Sequence, residues 1–410
     1  MKKIASIDIG SNTVRLLILE SDQTGDFQLL ASKRVITRLG EGMDAQGKLM
    51  ESRMSETLSV LSRFRQDCMD HGNPPLFAVA TSAVREASNG KEFVRLAREK
   101  TGIEIEIIPW EDAKIHVMSH VLHYGSGVFE GIKCYTTDEG PAIFRLEDHV
   151  HRLIQSGEKY GIQIPYDQDV LTQACVDIVN ANHFENCYIR PIAFYGYDTL
   201  GVHPKSCPVE VAIASFFWGA YLGDDGVENG VNITVSPWKK ISLDAFPPSA
   251  KASGQYLNSM LAVQDARERG YDEALLLNQD GNIAEGSGQN IFIVKNGKVF
   301  TNGESASILM GVTRKSVIQL CRDLGFEIQI GDLTQEMVMN ADEAFFTGTA
   351  SEITPIASVD DSQFKDGKPG TITLQIKEKY LNIIHGKDNA YKHWLTLVRH
   401  KNAMDSIVSE

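Results

Sequence analysis

Residues Gly102 to His120, GIEIEIIPWEDAKIHVMSH, change character in the middle. Up to Ile108 apolar and acidic residues alternate as in a half-buried strand, and from Trp110 the pattern is that of a second chain opening. Such a break constrains the architecture, because 410 residues exceed one ordinary core and domains of roughly 100–200 residues predict two or three. The charge divides at the same place. Met1 to Pro109 holds 15 basic and 15 acidic residues, and the remainder holds 25 and 39, so the net charge of −14 lies beyond the junction.

That acidity argues against a nucleic-acid partner, which needs a basic face. No apolar run reaches the roughly 20 residues of a membrane helix. The opening MKKIASIDIGSNTVRLLILE is interrupted by Asp8 and Arg15, so it reads as a first strand rather than a signal peptide, and a cytoplasmic location is expected. Six cysteines with no CxxC pair predict free thiols in a reducing compartment.

Before the junction, Ile4–Ile9, Val14–Glu20 and Phe27–Thr37 read as strands, Glu51–Cys68 as a helix, Leu76–Ala80 as a buried strand and Lys91–Lys100 as a helix. With Ile103–Ile108 the order is β-β-β-α-β-α-β. The link DIGSNT sets Asp8, Gly10, Ser11 and Asn12 in a tight turn whose amides can cradle a phosphate. IDIGSNTVRLLI, ITRLGEGMDAQGKL and ATSAVREASNGKEF resemble the start of the exopolyphosphatase and guanosine pentaphosphate phosphohydrolase family, over about Lys3 to Pro109. The resemblance implies half of an actin-like (ribonuclease H-like) ATPase domain. The second half, with its DIGGGS-type loop, is not found, so a non-catalytic leader is expected, with weak phosphate binding at Asp8 to Asn12 as the alternative.

Beyond the junction, His116, His120 and His123 fall at helical intervals, but no HExxH glutamate or fourth ligand accompanies them, and no metal is expected. Lys251 lies in SAKASGQYLNSML, among small residues that leave room for a flat cofactor and ahead of an apolar-periodic helix through Tyr256, Leu257, Met260 and Leu261. Glu285 lies in NIAEGSGQNIFIVKNGKVF, read as a strand pair turning at Asn296-Gly297. Gly311, Val312 and Thr313 open a helix ended by Gly325, a place for an anion. Singly, these positions read as a surface lysine, a surface glutamate and a helix cap, and Arg152 as a salt-bridge partner. Together, a reactive lysine, a carboxylate for a ring nitrogen, and an arginine and helix N-terminus for a phosphate are the parts that pyridoxal phosphate needs.

WEDAKIHVMSHVLHYGSGVFEGIKCY, YIRPIAFYGYDTLGVHP, FFWGAYLG, AKASGQYLNS, EGSGQNIFIV, MGVTR and FFTGTASEITPI closely resemble successive blocks of the branched-chain amino acid aminotransferases, from Trp110 to about Val398. That family has the fold type IV architecture, two α/β (α+β) domains holding the cofactor between them. The resemblance implies a half-domain at 1–109, a small domain at 110–215, a connector at 216–226, a large domain at 227–398 and a tail at 399–410. It implies that Lys251 bonds the cofactor and carries the proton between Cα and the cofactor's C4′. Glu285 would keep the pyridine nitrogen protonated. Arg152, Val312, Thr313 and Thr349 would hold the phosphate, and Tyr256 would sit beside the ring oxygen.

For substrate, the resemblance gives an aromatic wall of Tyr124, Phe129, Trp218, Tyr221 and Tyr256 with Arg190 as its polar handle. Tyr188 and the amides at Thr349 and Ala350 would take the α-carboxylate. Val202 matches a loop residue that reaches the neighbouring subunit's site, implying a homodimer or larger even assembly. The implied reaction moves the amino group of leucine, isoleucine or valine to 2-oxoglutarate, giving glutamate, with weak discrimination because a buried methylene contributes only about 0.8 kcal/mol. The alternatives are a D-amino acid transaminase, an aminodeoxychorismate lyase, or a phosphate-binding sensor fused to an inactive aminotransferase.

There is one departure. IEIEIIP stands where the family usually has a strand of the type WFNGEMV. One strand cannot close two cores, so Gly102 to Ile108 is expected to serve the aminotransferase and the leader to be packed loosely.

Overall fold

A computed structural model describes residues 2–21, 27–41, 47–80, 83–84, 87–101, 105–106, 114–219 and 222–398. Tyr221, the tail from residue 399 and all of the junction strand except Ile105 and Glu106 lie outside these residues. The chain forms two compact units, Met1–Ile115 and His116–Arg399.

The first unit contains β1 (Lys2–Ile9), β2 (Thr13–Ser21), β3 (Phe27–Ile36), α1 (Glu51–Asp70), β4 (Leu76–Ala80), α2 (Gly90–Thr101) and β5 (Ile105–Glu106), the order expected from the two hydrophobic periods. Its sheet runs β3-β2-β1-β4-β5, antiparallel through β1 and parallel from β1 onward. The alternation Ile7, Ile9 on β1 and Val14, Leu16, Ile18 on β2 sends these side chains to one face. There they form a fully buried core with Leu58, Leu61 and Phe64 of α1 and Phe93 and Ala97 of α2.

This corrects two expectations. The leader is well packed, and Ile105 and Glu106 pair in parallel with Ala78 and Val79 of its own sheet. The reason is connectivity: α2 ends only a few residues before β5, and a strand–helix–strand crossover of this length sets the new strand beside the old one. In the DIGSNT turn, Gly10 N donates to Thr13 O, and the carbonyls of Ser11 and Asn12 accept from Gly40, Thr37 and Arg38. Burial raises the Asp8 pKa, opposed by Arg15 across the strand pair.

The second unit holds two sheets. The smaller combines β6 (Gly127–Phe129), β7 (Ile132–Thr137), β8 (Gly140–Phe144), β9 (Cys187–Tyr195) and β10 (Val209–Phe216), in the order β10-β9-β7-β8 with β6 also on β9. Helices α3 (Leu146–Lys159) and α4 (Gln168–Ala181) accompany it, and Val150, Leu153, Leu171, Cys175 and Val179 share its core with Ile132, Ile143 and Ile189. The larger sheet contains β11 (Val231–Val235), β12 (Glu273–Leu277), β13 (Ile283–Gly286), β14 (Asn290–Lys295), β15 (Lys298–Thr301), β16 (Ile328–Ile330), β17 (Glu343–Gly348) and β18 (Glu352–Val359). Its central strands are apolar runs, as Ile291, Phe292, Ile293 and Val294 of β14 show, because both faces are covered there.

Three helices of this unit matter below: α5 (Tyr256–Glu268), α6 (Val312–Asp323) and α7 (Thr371–Ile384). Asn296 and Gly297 have φ of 51° and 75° and turn β14 into β15, as their dipeptide predicts. Glu285 is not in that pair but on the preceding strand, β13. Helix α5 also differs from expectation, burying Ser259, Ala262 and Ala266 while leaving Leu257, Met260 and Leu261 exposed. Small side chains let the helix approach β12 closely, and the apolar stripe faces outward. The six cysteines are free and buried, and among the described residues no helix is long and apolar enough to cross a membrane.

Candidate active site

Lys251 is fixed through its backbone before its side chain does anything. Its amide donates to Ser156 Oγ at 3.0 Å, its carbonyl accepts from Phe129 N at 3.0 Å, and Ala252 bridges to Val128. Of the small residues beside it, Ala250 lies on the cavity wall, while Gly254 serves packing: Gly254 N donates to Gly125 O, and a Cβ on Gly125 would stand 2.7 Å from Gly254 Cα. Lys251 Nζ donates to Tyr256 Oη at 2.6 Å and lies 5.0 Å from the ring centres of Phe129 and Tyr256. Burial, helped by the Arg152 charge, lowers the Lys251 pKa to about 8, while burial pushes that of Tyr256 up to about 12.

These two residues line a cavity, with Arg152, Tyr188, Glu285, Val312, Thr313, Thr349 and Ala350 also on its wall. Glu285 is ionically and geometrically anchored: Lys240 Nζ sits 2.6 Å from Oε1, and Oε2 accepts from Asn290 Nδ2 at 3.0 Å and Leu309 N at 3.1 Å. Burial alone would lower the Lys240 pKa, but Glu285 raises it, so the lysine stays charged.

Arg152 is bidentate on Glu130, with Nε 2.6 Å from Oε1 and Nη2 2.9 Å from Oε2. His149 Nδ1 reaches the same Oε2 at 2.7 Å. Burial would raise the Glu130 pKa, yet Arg152 and His149 overcome it and hold the carboxylate well below its usual range. Burial also lowers the pKa of His149, so it is a neutral partner. The guanidinium thus enters the cavity already neutralised along one edge, with Nη1 on the other, 3.3 Å from Met310 O.

Beside Arg152 the N-terminus of α6 offers Val312 and Thr313, capped by Gly311. Glycine is required there, since a Cβ would stand 2.2 Å from Asn290 Oδ1. The turn from Gly348 to Glu352, between β17 and β18, brings Thr349 and Ala350 to the same cavity. Two buried hydroxyls, Thr347 Oγ1 just before the turn and Ser351 Oγ within it, have no hydrogen-bond partner among the described residues.

Of the residues assigned to the aromatic wall, Phe129 packs on Tyr256 at 5.0 Å and Tyr188 on Trp218 at 4.6 Å. Arg190 lies over Phe129, Tyr188 and Trp218 at 4.8, 5.2 and 5.7 Å, and its Nε is buried without a partner. Among the described residues of the assigned aromatic wall only Tyr256 lines the cavity; Tyr124, Phe129, Trp218, Arg190 and Val202 do not. Tyr124 Oη donates to Leu200 O at 2.7 Å, and Val202 is 79 % exposed. The three histidines make hydrogen bonds and ring contacts, His120 to Ser126 and Gly201, His123 to Val117 O, and His116 against Tyr197.

Sequence reasoning missed Glu130, His149, Lys240 and Asn290. Glu130 carried a signal, a lone charge inside the apolar run GVFEGI, which is tolerated only when paired. Lys240, in SPWKK, had none.

The Amino-transferase class IV family model matches residues 127–359, and the Ppx/GppA phosphatase family model matches residues 17–126. The chain is 42% identical over 294 residues to the branched-chain-amino-acid aminotransferase of Pseudomonas aeruginosa, covering 72% of this chain and 95% of that one. The crystal structure of the Escherichia coli branched-chain amino acid aminotransferase superposes with a TM-score of 0.70 at 42% identity, covering 72% of this chain and 97% of that one. The branched-chain amino acid aminotransferase of the T.th. strain, solved with pyridoxamine 5'-phosphate, gives 0.69 at 42% identity, covering 71% and 96%. It has also been solved with N-(5'-phosphopyridoxyl)-L-glutamate and with 4-methylvaleric acid, each at 0.68 and 41% identity over the same shares. Behind an N-terminal region of the Ppx/GppA phosphatase family, this chain is therefore a class IV aminotransferase of fold type IV, similar to the branched-chain amino acid aminotransferases.

Proposed function

We propose that the chain transfers amino groups between L-leucine, L-isoleucine or L-valine and 2-oxoglutarate, using pyridoxal phosphate in the cavity around Lys251. The observation carrying this is one wall that holds a lysine of pKa about 8, a cation-anchored Glu285, and an arginine beside a helix N-terminus. The fit is chemical: an aldehyde needs an amine with a free lone pair, a ring nitrogen needs a carboxylate, and a phosphate needs amides and a guanidinium. The unpartnered Thr347 and Ser351 hydroxyls lie at the turn that would meet the ligand.

When bound, pyridoxal phosphate supplies an electron sink for the substrate's Cα–H bond. The remaining work belongs to the chain. Lys251 Nζ takes the proton from Cα and would pass it to the cofactor's C4′, and its lowered pKa suits both directions near neutral pH. Glu285 would keep a proton on the ring nitrogen, and Lys240, 2.6 Å from Oε1, holds Glu285 in place. Nη1 of Arg152, the Val312 and Thr313 amides and Thr349 bind phosphate. Tyr188 and the Thr349–Ala350 turn take the α-carboxylate. Phe129, Trp218, Tyr221 and Tyr256 enclose the aliphatic side chain, and Arg190 meets the second carboxylate of glutamate. Exposed Val202 and Tyr124 support a homodimer or larger even homo-oligomer, in which both border the partner's site.

The test is the near-visible absorbance of purified protein mixed with pyridoxal phosphate, followed on adding L-leucine, D-leucine and aminodeoxychorismate separately. A band that shifts with L-leucine alone, and turnover coupled to 2-oxoglutarate, is expected; a shift only with D-leucine or aminodeoxychorismate overturns the reading. The rate of cofactor capture should also follow the Lys251 amine. Below pH 8 the amine is protonated and has no lone pair, so the rate rises about tenfold per pH unit and levels above pH 8. A rate still rising tenfold per unit above pH 9, as an ordinary lysine would give, would refute the lowered pKa.

A further inference from the structure

The strand beside the one that carries Tyr188 is tied to the end of the turn that carries Thr349 and Ala350. Lys133 on β7 is the register partner of Tyr188 on β9. Its Nζ lies 2.5 Å from Glu352 Oε1, and Tyr135 Oη donates to the same oxygen at 3.1 Å. The ion-paired side chains are only 12 % and 18 % exposed, and Tyr135 is 2 % exposed. The Lys133 ammonium also stands 5.2 Å from the Tyr135 ring centre. Burial pushes the Tyr135 pKa well up, so its hydroxyl keeps the proton it donates.

Glu352 is not an ordinary surface anchor. It closes the Gly348–Glu352 turn at φ 51°, in the left-handed region that a glutamate occupies at a cost. A glycine or asparagine would meet that backbone demand more cheaply, so the carboxylate is present for its contacts. Lys377 faces it as a second cation.

We propose that Lys133 and Tyr135, acting through Glu352, are positioning residues that set the distance between the Thr349–Ala350 turn and Tyr188, and thereby the affinity for the α-carboxylate. This rests on the assignment of those contacts above. An amino acid and its 2-oxo acid both present that carboxylate, so the brace acts on every substrate alike, and on the cofactor phosphate little.

The experiment has one arm that requires no catalysis. Amide hydrogen exchange of the peptide covering residues 345–355 is compared in cofactor-free wild type, Lys133→Met, Glu352→Gln and Lys133→Arg. Exchange about tenfold faster in the first two variants and restored in Lys133→Arg is expected, with no change at 290–295. Unchanged exchange overturns the brace whatever the enzyme does. In the second arm, KM for L-leucine and for L-glutamate should rise together by about tenfold, with kcat within about twofold, and 4-methylvaleric acid should bind more weakly by the same factor. Thr349 is also a proposed phosphate contact, so pyridoxal phosphate capture should weaken too, but by much less than the tenfold change in KM, because Arg152 and the α6 N-terminus are untouched. A Tm loss without a KM change makes the contact merely structural and refutes the proposal. If wild type exchanges as expected but does not turn over leucine, the proposed function has failed while the brace stands.

Discussion

Lys251→Ala protein mixed with pyridoxal phosphate is expected to show no near-visible band and at least about a thousandfold less transamination than wild type, while keeping its Tm within about 2 °C. The effect is large because no other described group can take over. Lys240 is the other lysine on the cavity wall, but its Nζ is held 2.6 Å from Glu285, and that carboxylate raises its pKa, so it offers neither a lone pair nor freedom to move. The fold should be indifferent, because Lys251 is held by its backbone to Ser156 and Phe129, contacts that alanine keeps. Losing a buried amine with a lowered pKa removes a strain rather than a support. Absorbance and a leucine assay decide it. A retained band would mean that another amine captures the aldehyde, and that the proposed role of Lys251 is wrong.

How this site could be read before the structure depends on the kind of residue. Strand and helix periods sufficed for the leader, because Ile7, Ile9, Leu16 and Ile18 face one core and any shift by one residue would expose them all. The junction was not legible in this way: IEIEI alternates correctly for an edge strand of either unit, and only its short link to α2 decides for the leader. Lys251, Glu285 and Arg152 have nothing in their neighbourhoods that separates them from surface charges, so family resemblance had to single them out. Their partners were less visible still. Glu130 lies 22 residues from Arg152, and Lys240 lies 45 from Glu285, distances at which no local pattern operates.

Glu130→Gln is expected to destabilise the second unit strongly while leaving Lys251 untouched. Both Glu130 oxygens accept from charged or buried donors, Arg152 Nε on one, Arg152 Nη2 and His149 Nδ1 on the other. Glutamine removes the charge and turns an NH2 toward one of these donors, leaving the guanidinium buried without a counter-ion. Breaking a buried pair from one side costs about 3–5 kcal/mol, roughly a 6–15 °C fall in Tm for the cofactor-free protein. Phosphate distinguishes this from a general loss of packing. In wild type Arg152 is already neutralised, so inorganic phosphate at about 10 mM adds little beyond what the α6 N-terminus supplies. In the variant the dianion is the only anion offered to the guanidinium, so it should raise Tm by several degrees more than in wild type. Calorimetry of both proteins with and without phosphate measures the difference. Equal phosphate increments would show that Glu130 does not set the charge of Arg152, and that the pair holds the fold together without preparing the phosphate site.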